Sequence, residues 1–379
     1  MLAVASQRQG YEVVFACDER NRWVLADESI AHEHLSSIPT ERFLRAVSRA
    51  APVYDYATLT RYVRDDLALI ERVSPDLIVG DLRLSLSVSA RLAAVPYAAI
   101  ANAYWSPYIA RKRYPIPPLA GIRFVPLAPA EALFNMVRPA AFAWHAVPLN
   151  RVRRKHGLPP IKFDVRNVYT DGDHVLYADV PELFPLVGAP PTNHFLGPII
   201  WSPPAPLPEW WKAVTHERPI IYVTMGSSGD PALLQMIFKA LAGLPVLVLA
   251  ATVGAECPRP LPANVLVAKY LPGDAVAAMA ALVICNGGAP TSQQALANGV
   301  PVLGIATNMD QILNMQAITE VGAGILLRGQ RTTARAVRQA IVEILNNHEH
   351  STAAQAMAST FKRYRAVERF GDFASALLR

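Results

Sequence analysis

LVICNGGAPTSQQALANGVPVLGIATNMDQ, residues 282–311, carries the main structural signal of the chain. It reads as an apolar strand (282–285), a tight loop of small residues (286–290), a helix opening near Thr291 and a second short strand (301–305). Strand, helix and strand in that order make a crossover between parallel strands. Two successive glycines, Gly287 and Gly288, let backbone N–H groups approach a ligand with no Cβ in the way. The helix start beyond them adds unpaired donors and the positive end of a macrodipole. That combination suits a diphosphate. The polar pair Asp310 and Gln311 follows the next strand, so it is expected on the same carboxyl edge of the sheet, where open α/β folds bind ligands. Taken alone, the loop is equally an ordinary βαβ turn with glycine at a tight corner.

The same alternation extends outward. Apolar strands recur at PIIYVTMG (219–226), PVLVLA (245–250) and NVLVAKY (264–270), with helical stretches between them, which implies a parallel sheet. WSPPAPLPEWW (201–211) is too rich in proline to continue a helix or a central strand and reads as a linker. Upstream of it, strands are expected in YEVVFACD (11–18), SPDLIVGDL (74–82), VPYAAIANA (95–103), DHVLYADVPEL (173–183) and NHFLGPIIW (193–201). Helices are expected over 40–73, 85–94, 333–347 and 350–379, and over 129–156 with breaks at Pro139 and Pro148. That last stretch carries an apolar face with Leu133, Phe134, Val137, Phe142 and Trp144, which reads as core, as a border of a binding pocket, or as a lipid contact. Residues 104–129 are rich in Pro and aromatics and have no clean period, as in long functional loops.

A chain of 379 residues exceeds the usual single core, so two domains are expected. The boundaries read as 1–200, a linker at 201–211, 212–347, and a C-terminal helix at 348–379 packing back on the first domain. Hydrophobic content of 52% against 17% charged residues supports sizeable cores and argues against disorder. The net charge of +6 fits an anionic ligand or an anionic membrane surface, or serves solubility alone. Basic residues gather at Arg111–Lys112–Arg113 and over 151–155 without aromatic interleaving, so nucleic acid is not an expected partner. Cys17, Cys257 and Cys285 form no spaced pair and read as reduced thiols. No bilayer-length apolar run and no signal peptide is visible, so the expected location is cytoplasmic, with peripheral membrane contact as an open alternative. No His/Cys/Asp/Glu spacing suggests a metal site.

With these elements in order, residues 282–314 resemble the donor-binding segment of family 1 nucleotide-sugar glycosyltransferases, of the UDP- and macrolide-glycosyltransferase kind. Gly288, Thr291, Gly299, Val300, Pro301, Asp310, Gln311 and Asn314 match its pattern, and YVTMGSSGD (222–230), YLPGDAV (270–276) and GAGILL (322–327) extend the match over most of the second half. The resemblance implies a GT-B fold: two Rossmann-like domains with parallel sheets facing across a cleft. It implies an inverting transfer of a hexose from a UDP- or dTDP-sugar to a hydroxyl of a hydrophobic small-molecule or lipid acceptor, with no cofactor beyond the nucleotide sugar. By the same resemblance Ser227, Ser228, Asn286, Gly287, Gly288 and Thr291 face the diphosphate, Tyr270, Leu271 and Gln294 the nucleoside, and Asp310 with Gln311 the sugar.

Two positions depart from the family pattern. Asn286 stands where a His usually contacts the diphosphate, and Gln294 where a Glu usually accepts the ribose hydroxyls. Both keep hydrogen-bonding capacity, but Gln is neutral and also donates. The sequence as given opens on a helix ending near Gly10, so the family's first strand and its catalytic His are expected to precede it, and no residue here takes that role. Asp81, at the end of a buried strand, is the acidic residue that would orient such a base, or else it caps the next helix. His145, His174 and His194 lie at element ends away from a first-strand loop and do not replace the base. Two other functions stay open: a noncatalytic relative that binds a nucleotide sugar or a partner, and a nucleotide-sugar epimerase.

Overall fold

The computed structural model describes residues 1–25, 29–202 and 206–378. The chain divides into two compact units: Met1–Tyr114, Ala128–Ile199 and Tyr364–Arg379 form the first, and Pro115–Leu127 with Ile200–Arg363 the second. Pro203, Pro204 and Ala205 of the expected linker lie outside the described residues.

The first unit opens with α1 (Leu2–Arg8), which ends before Gly10 in a left-handed conformation, then β1 (Val14–Cys17) and β2 (Ala31–His34). These two strands form a parallel pair, Val14 opposite Ala31. The helical stretch expected over 40–73 is two helices, α2 (Thr40–Ser48) and α3 (Tyr56–Val73), separated around Pro52, whose missing N–H cannot continue the ladder. Asp55 starts α3 by accepting the Thr58 N–H at 2.8 Å. A second parallel sheet runs β3 (Ile78–Asp81), β4 (Tyr97–Ala101), β5 (His174–Tyr177) and β6 (Asn193–Phe195), in that order across the sheet. Among the described residues, β1 pairs only with β2 and β3 only with β4. Helix α4 (Leu86–Leu92) lies between β3 and β4. Helix α5 (Leu127–Lys155) and the short α6 (Val165–Tyr169) lie between β4 and β5.

Pro139 and Pro148 were expected to break the helix over 129–156, yet α5 runs through both. Its inner face, with Ala146, Leu149 and Val152, is part of a core shared with Leu59 and Val63 of α3. That burial outweighs the roughly 3 kcal/mol that each internal proline costs. Two ion-pair networks sit within this unit. Asp66 of α3, almost fully buried, receives Arg83 at 2.9 Å. Asp171 receives Arg91 at 3.1 Å and the deeply buried Arg153 at 2.9 Å.

The second unit holds one parallel sheet in the order β12-β11-β10-β7-β8-β9. Its strands are β7 (Ile220–Thr224), β8 (Leu247–Ala251), β9 (Val265–Ala268), β10 (Leu282–Cys285), β11 (Val302–Ala306) and β12 (Gly324–Arg328). Strands β7, β10 and β11 are buried throughout, as continuous apolar runs rich in Val, Ile and Leu must be when helices cover both faces. The helices are α7 (Leu233–Leu241), α8 (Gly273–Met279), α9 (Ala289–Ala297), α10 (Met309–Glu320), α11 (Ala334–Asn346) and α12 (His348–Arg363). Ile221, Val223, Ile237, Phe238, Ile284 and Leu303 lie at the centre of the core. From β7 the chain steps outward to β8 and β9, then returns to place β10 on the other side of β7. That reversal makes a switch point between β7 and β10, the edge where open α/β sheets bind ligands.

Two expected boundaries move. The tail over 350–379 is not one helix: α12 packs on α9 within the second unit, and only Tyr364–Arg379, carrying α13 (Ala366–Leu377), joins the first. The irregular segment 104–129 is also shared between the units. Its residues Pro115–Leu127 belong to the second, where Arg328 donates to the Ile116 carbonyl at 3.0 Å and Arg331 to the carbonyls of Ile122 and Val125.

Candidate functional site

The carboxyl ends of β7, β10 and β11 are neighbours in the sheet, so the loops that follow them share one edge. After β7, Gly226 turns with φ +58, and Ser227 and Ser228 follow. After β10 come Asn286, Gly287 and Gly288, the last being the N-cap of α9. After β11, Thr307 and Asn308 lead into α10, whose first turn holds Asp310 and Gln311.

Side-chain hydrogen bonds tie these loops together. Asn286 Nδ2 donates to Ser228 Oγ at 3.2 Å, and Asn286 Oδ1 accepts the Gly288 N–H at 3.0 Å. Gln311 Nε2 donates to the Ser228 carbonyl at 3.3 Å, linking the third loop to the first. Asn314 of α10 donates to the Gly287 carbonyl at 2.8 Å and to Ser292 Oγ at 2.9 Å, linking the third loop to the second. Ser227, Ser228, Asn286, Gly287, Gly288, Asp310 and Gln311 are therefore brought to one place.

Several of these residues do something the sequence reading did not assign. The Gly287 N–H points to Cys285 Sγ at 3.2 Å and the Gly288 N–H to Asn286, so neither glycine amide is turned outward. Burial pushes the Cys285 thiol up to about 12, which leaves it a neutral acceptor for that N–H. The donors that remain on the loop belong to α9 itself: no side chain caps it, and Pro290 stands in its first turn, so the Ala289 and Thr291 amides face the open end. Ser228 Oγ, which accepts from Asn286, keeps its proton for a further acceptor.

Gln311 is 1% exposed, and its carbonyl accepts from Thr307 N at 2.8 Å and Thr307 Oγ1 at 3.1 Å. Asn308 caps α10 by accepting the Gln311 N–H at 3.0 Å. The pair is a variant of the capping box, and the Asn-x-x-Gln spacing was its signal in the sequence. Asp310, beside it, is half-exposed. Gln294 sits inside α9 and donates to the Trp201 carbonyl at 2.7 Å and to Ser202 Oγ at 3.0 Å, so its amide braces the segment entering the unit. Tyr270, 42% exposed, follows β9 with Lys269 above its ring, and Leu271 is buried behind it. The turn at Gly273 abuts Gln294 of α9, which carries the Tyr270–Leu271 segment to the flank of the same helix.

The glycines differ in what they tolerate. Gly287 has φ +80, and a Cβ there would lie 2.5 Å from Met315 Cγ. Gly288 has φ −71, and its Cβ would meet nothing nearer than Asn286 Oδ1 at 3.3 Å. Gly287→Ala is expected to destabilise the protein by about 2–4 kcal/mol, through left-handed strain and overpacking. Gly288→Ala should cost under about 1 kcal/mol. Urea titration of both variants checks the contrast.

Asp81 lies in the first unit, at the end of β3. The strand expected to be buried is open at this end, where Val79 and Asp81 are exposed, although desolvation by the surrounding protein raises the Asp81 carboxyl above its ordinary range. Asp81 does not cap α4, whose N-cap is Ser85, and it forms no hydrogen bond or ion pair among the described residues. His145 contacts the Ala50 carbonyl at 3.1 Å, and His174 stacks on His194 with ring centroids 5.6 Å apart.

Comparison with known proteins gives this geometry a context. Residues 242–362 match the family model described as erythromycin biosynthesis protein CIII-like, C-terminal domain. The chain is 47% identical over 361 residues to a PGL/p-HBAD biosynthesis glycosyltransferase of Mycobacterium tuberculosis, covering 95% of this chain and 84% of that protein. It is 47% identical over 364 residues to a PGL/p-HBAD biosynthesis rhamnosyltransferase of Mycobacterium bovis, covering 96% and 81%. A third relative, also of Mycobacterium bovis and named an inactive PGL/p-HBAD biosynthesis glycosyltransferase, is 45% identical over 241 residues, 64% of this chain and 66% of its own. Among solved structures, spinosyn rhamnosyltransferase SpnG complexed with thymidine diphosphate superposes with a TM-score of 0.69 at 18% identity, over 98% of this chain and 95% of that one.

Proposed function

This chain belongs to the family 1 nucleotide-sugar glycosyltransferases of GT-B fold, and from that premise we propose that it moves a hexose from a thymidine or uridine diphosphate sugar to a hydroxyl of a lipid-like acceptor, inverting the anomeric carbon. The observation that carries the donor half is the hydrogen-bonded junction of three loops at the open N-terminus of α9. Two linked phosphoryl groups suit such a place, where amide donors converge, a dipole favours negative charge and small residues leave room. The thymidine preference draws on the ligand of SpnG, and the lipid-like acceptor on the naming of the mycobacterial relatives and the apolar character of the first unit.

In this reading Thr291, Ser227 and Ser228 hold the diphosphate, and Asn286 aims Ser228. Tyr270 stacks on the base while Leu271 backs it, and Asp310 accepts hydroxyl protons of the hexose. Gln311 and Gln294 act as positioning residues, because their polar atoms are already engaged. The acceptor hydroxyl gives its proton to a base, and its oxygen attacks the anomeric carbon. The bond from that carbon to the phosphate oxygen breaks, and the diphosphate leaves with the electron pair. In this reading its new charge falls beside the α9 amides and the Ser228 hydroxyl, and donors held in place there lower the barrier. Asp81, at the carboxyl end of β3, is the carboxyl assigned to orienting the base.

Calorimetry with a panel of uridine and thymidine diphosphate hexoses tests the donor half. Saturable binding to at least one member is expected. Gly288→Trp, which sets an indole at the start of α9, should abolish that binding with the fold intact. No binding to any member, or unchanged binding by Gly288→Trp, would reject the site.

A further inference from the structure

Helix α5 is apolar on two opposite faces, and only one of them is covered. Phe134, Phe142, Ala146 and Leu149 are buried. On the other side Leu133 is 61% exposed, Met136 78%, Val137 51%, Trp144 53% and Val147 39%. Ala140 completes the stripe and is exposed as well. The spacing of these residues places them on one side of the helix over about 21 Å. A helix apolar all round belongs in a core or against lipid, and a contiguous exposed patch of this size marks an interaction surface.

The charges around the stripe identify what it meets. Arg151, Arg154 and Lys155 are exposed in the last turns of α5. Against these cations the helix sequence offers one carboxylate, Glu131. A second copy meeting this face across a two-fold axis would bring its own cations and only another Glu131 to balance them. An anionic lipid surface balances them directly. An exposed Trp and Met among aliphatic groups, rimmed by Arg and Lys, is the composition of a helix lying in a membrane interface. No helix among the described residues is long and apolar enough to cross a membrane, so the contact is with one leaflet.

We propose that the outer face of α5 docks the protein on an anionic membrane, with Leu133, Met136, Val137 and Trp144 entering the headgroup boundary and the exposed cations Arg151, Arg154 and Lys155 meeting lipid phosphates. The docking depends on neither the donor nor the acceptor assigned above.

Cosedimentation of the full chain with vesicles tests it. The unaltered protein should bind phosphatidylcholine vesicles containing about 30% phosphatidylglycerol, bind pure phosphatidylcholine far less, and come off as salt is raised. Arg154→Gln with Lys155→Gln should lower the partition coefficient about thirtyfold, taking roughly 1 kcal/mol for each cation near the surface. Met136→Glu with Trp144→Ser should abolish binding. Each variant should keep the melting temperature and the nucleotide-sugar affinity measured without lipid, which separates a failure of docking from a failure of the donor site. Absence of binding to the anionic vesicles, or equal binding by the variants and the unaltered protein, would overturn the proposal. So would a dimer in sedimentation equilibrium that Met136→Glu with Trp144→Ser dissociates, because a second copy would then own the face.

Discussion

Asp310→Ala is expected to weaken binding of the thymidine diphosphate hexose about a hundredfold while leaving the affinity for thymidine diphosphate itself unchanged. Two hydrogen bonds from sugar hydroxyls to a carboxylate, each near the lower end of about 1.5 kcal/mol, together come to about 3 kcal/mol, a loss of roughly that size. Asp310 is half-exposed in the first turn of α10, where its charge favours the helix dipole by about 0.3–1 kcal/mol. Asp310→Asn keeps an acceptor oxygen and should recover part of the affinity. Gln311→Ala should behave differently. It removes the bonds from Thr307 and to Ser228, so it should lower stability and affect the nucleotide and its sugar conjugate alike. Calorimetry with the two ligands on the three variants separates a sugar contact from a loop brace.

The largest loss of stability is expected for Asp171→Ala. Asp171 stands between Arg91 and Arg153, and Arg153 also donates to the carbonyls of Ser87 at 2.8 Å and Pro159 at 2.7 Å. Burial pushes the Asp171 carboxyl up and the Arg153 guanidinium down from their ordinary values, in each case against the attraction between them. Removing the carboxylate leaves two guanidinium groups facing each other, one of them almost fully buried, at a cost of about 3–5 kcal/mol. Replacing all three charges with apolar residues, as in Asp171→Leu with Arg91→Met and Arg153→Met, should restore most of that loss. Denaturant midpoints of the single and triple variants test both statements.

Legibility from sequence followed the range of the interaction. The β10 to α9 passage was readable because an apolar run, two glycines and an early proline each act locally. The bonds from Asn286 to Ser228 and from Gln294 to Trp201 were not, because they depend on which strands become neighbours. Gln311 was read as half of a ligand pair, although its spacing from Asn308 also encoded a cap; both readings use the same two residues, and only burial distinguishes them. In α5, periodicity gave the helix but not its inside, because Leu133 and Phe134 are both apolar and one is exposed while the other is buried. Pro139 and Pro148 predicted breaks that tertiary packing overrode.

The open end of α9, joined to the loops after β7 and β11, is proposed to grip the diphosphate of a nucleotide sugar. A crystal structure of the full chain with a bound thymidine diphosphate hexose tests this most directly. The account predicts phosphate oxygens about 3 Å from Ser228 Oγ and the Thr291 amide, with the hexose against Asp310. A nucleotide bound on another edge of the sheet, or at this edge with its phosphates turned away from α9, would contradict it.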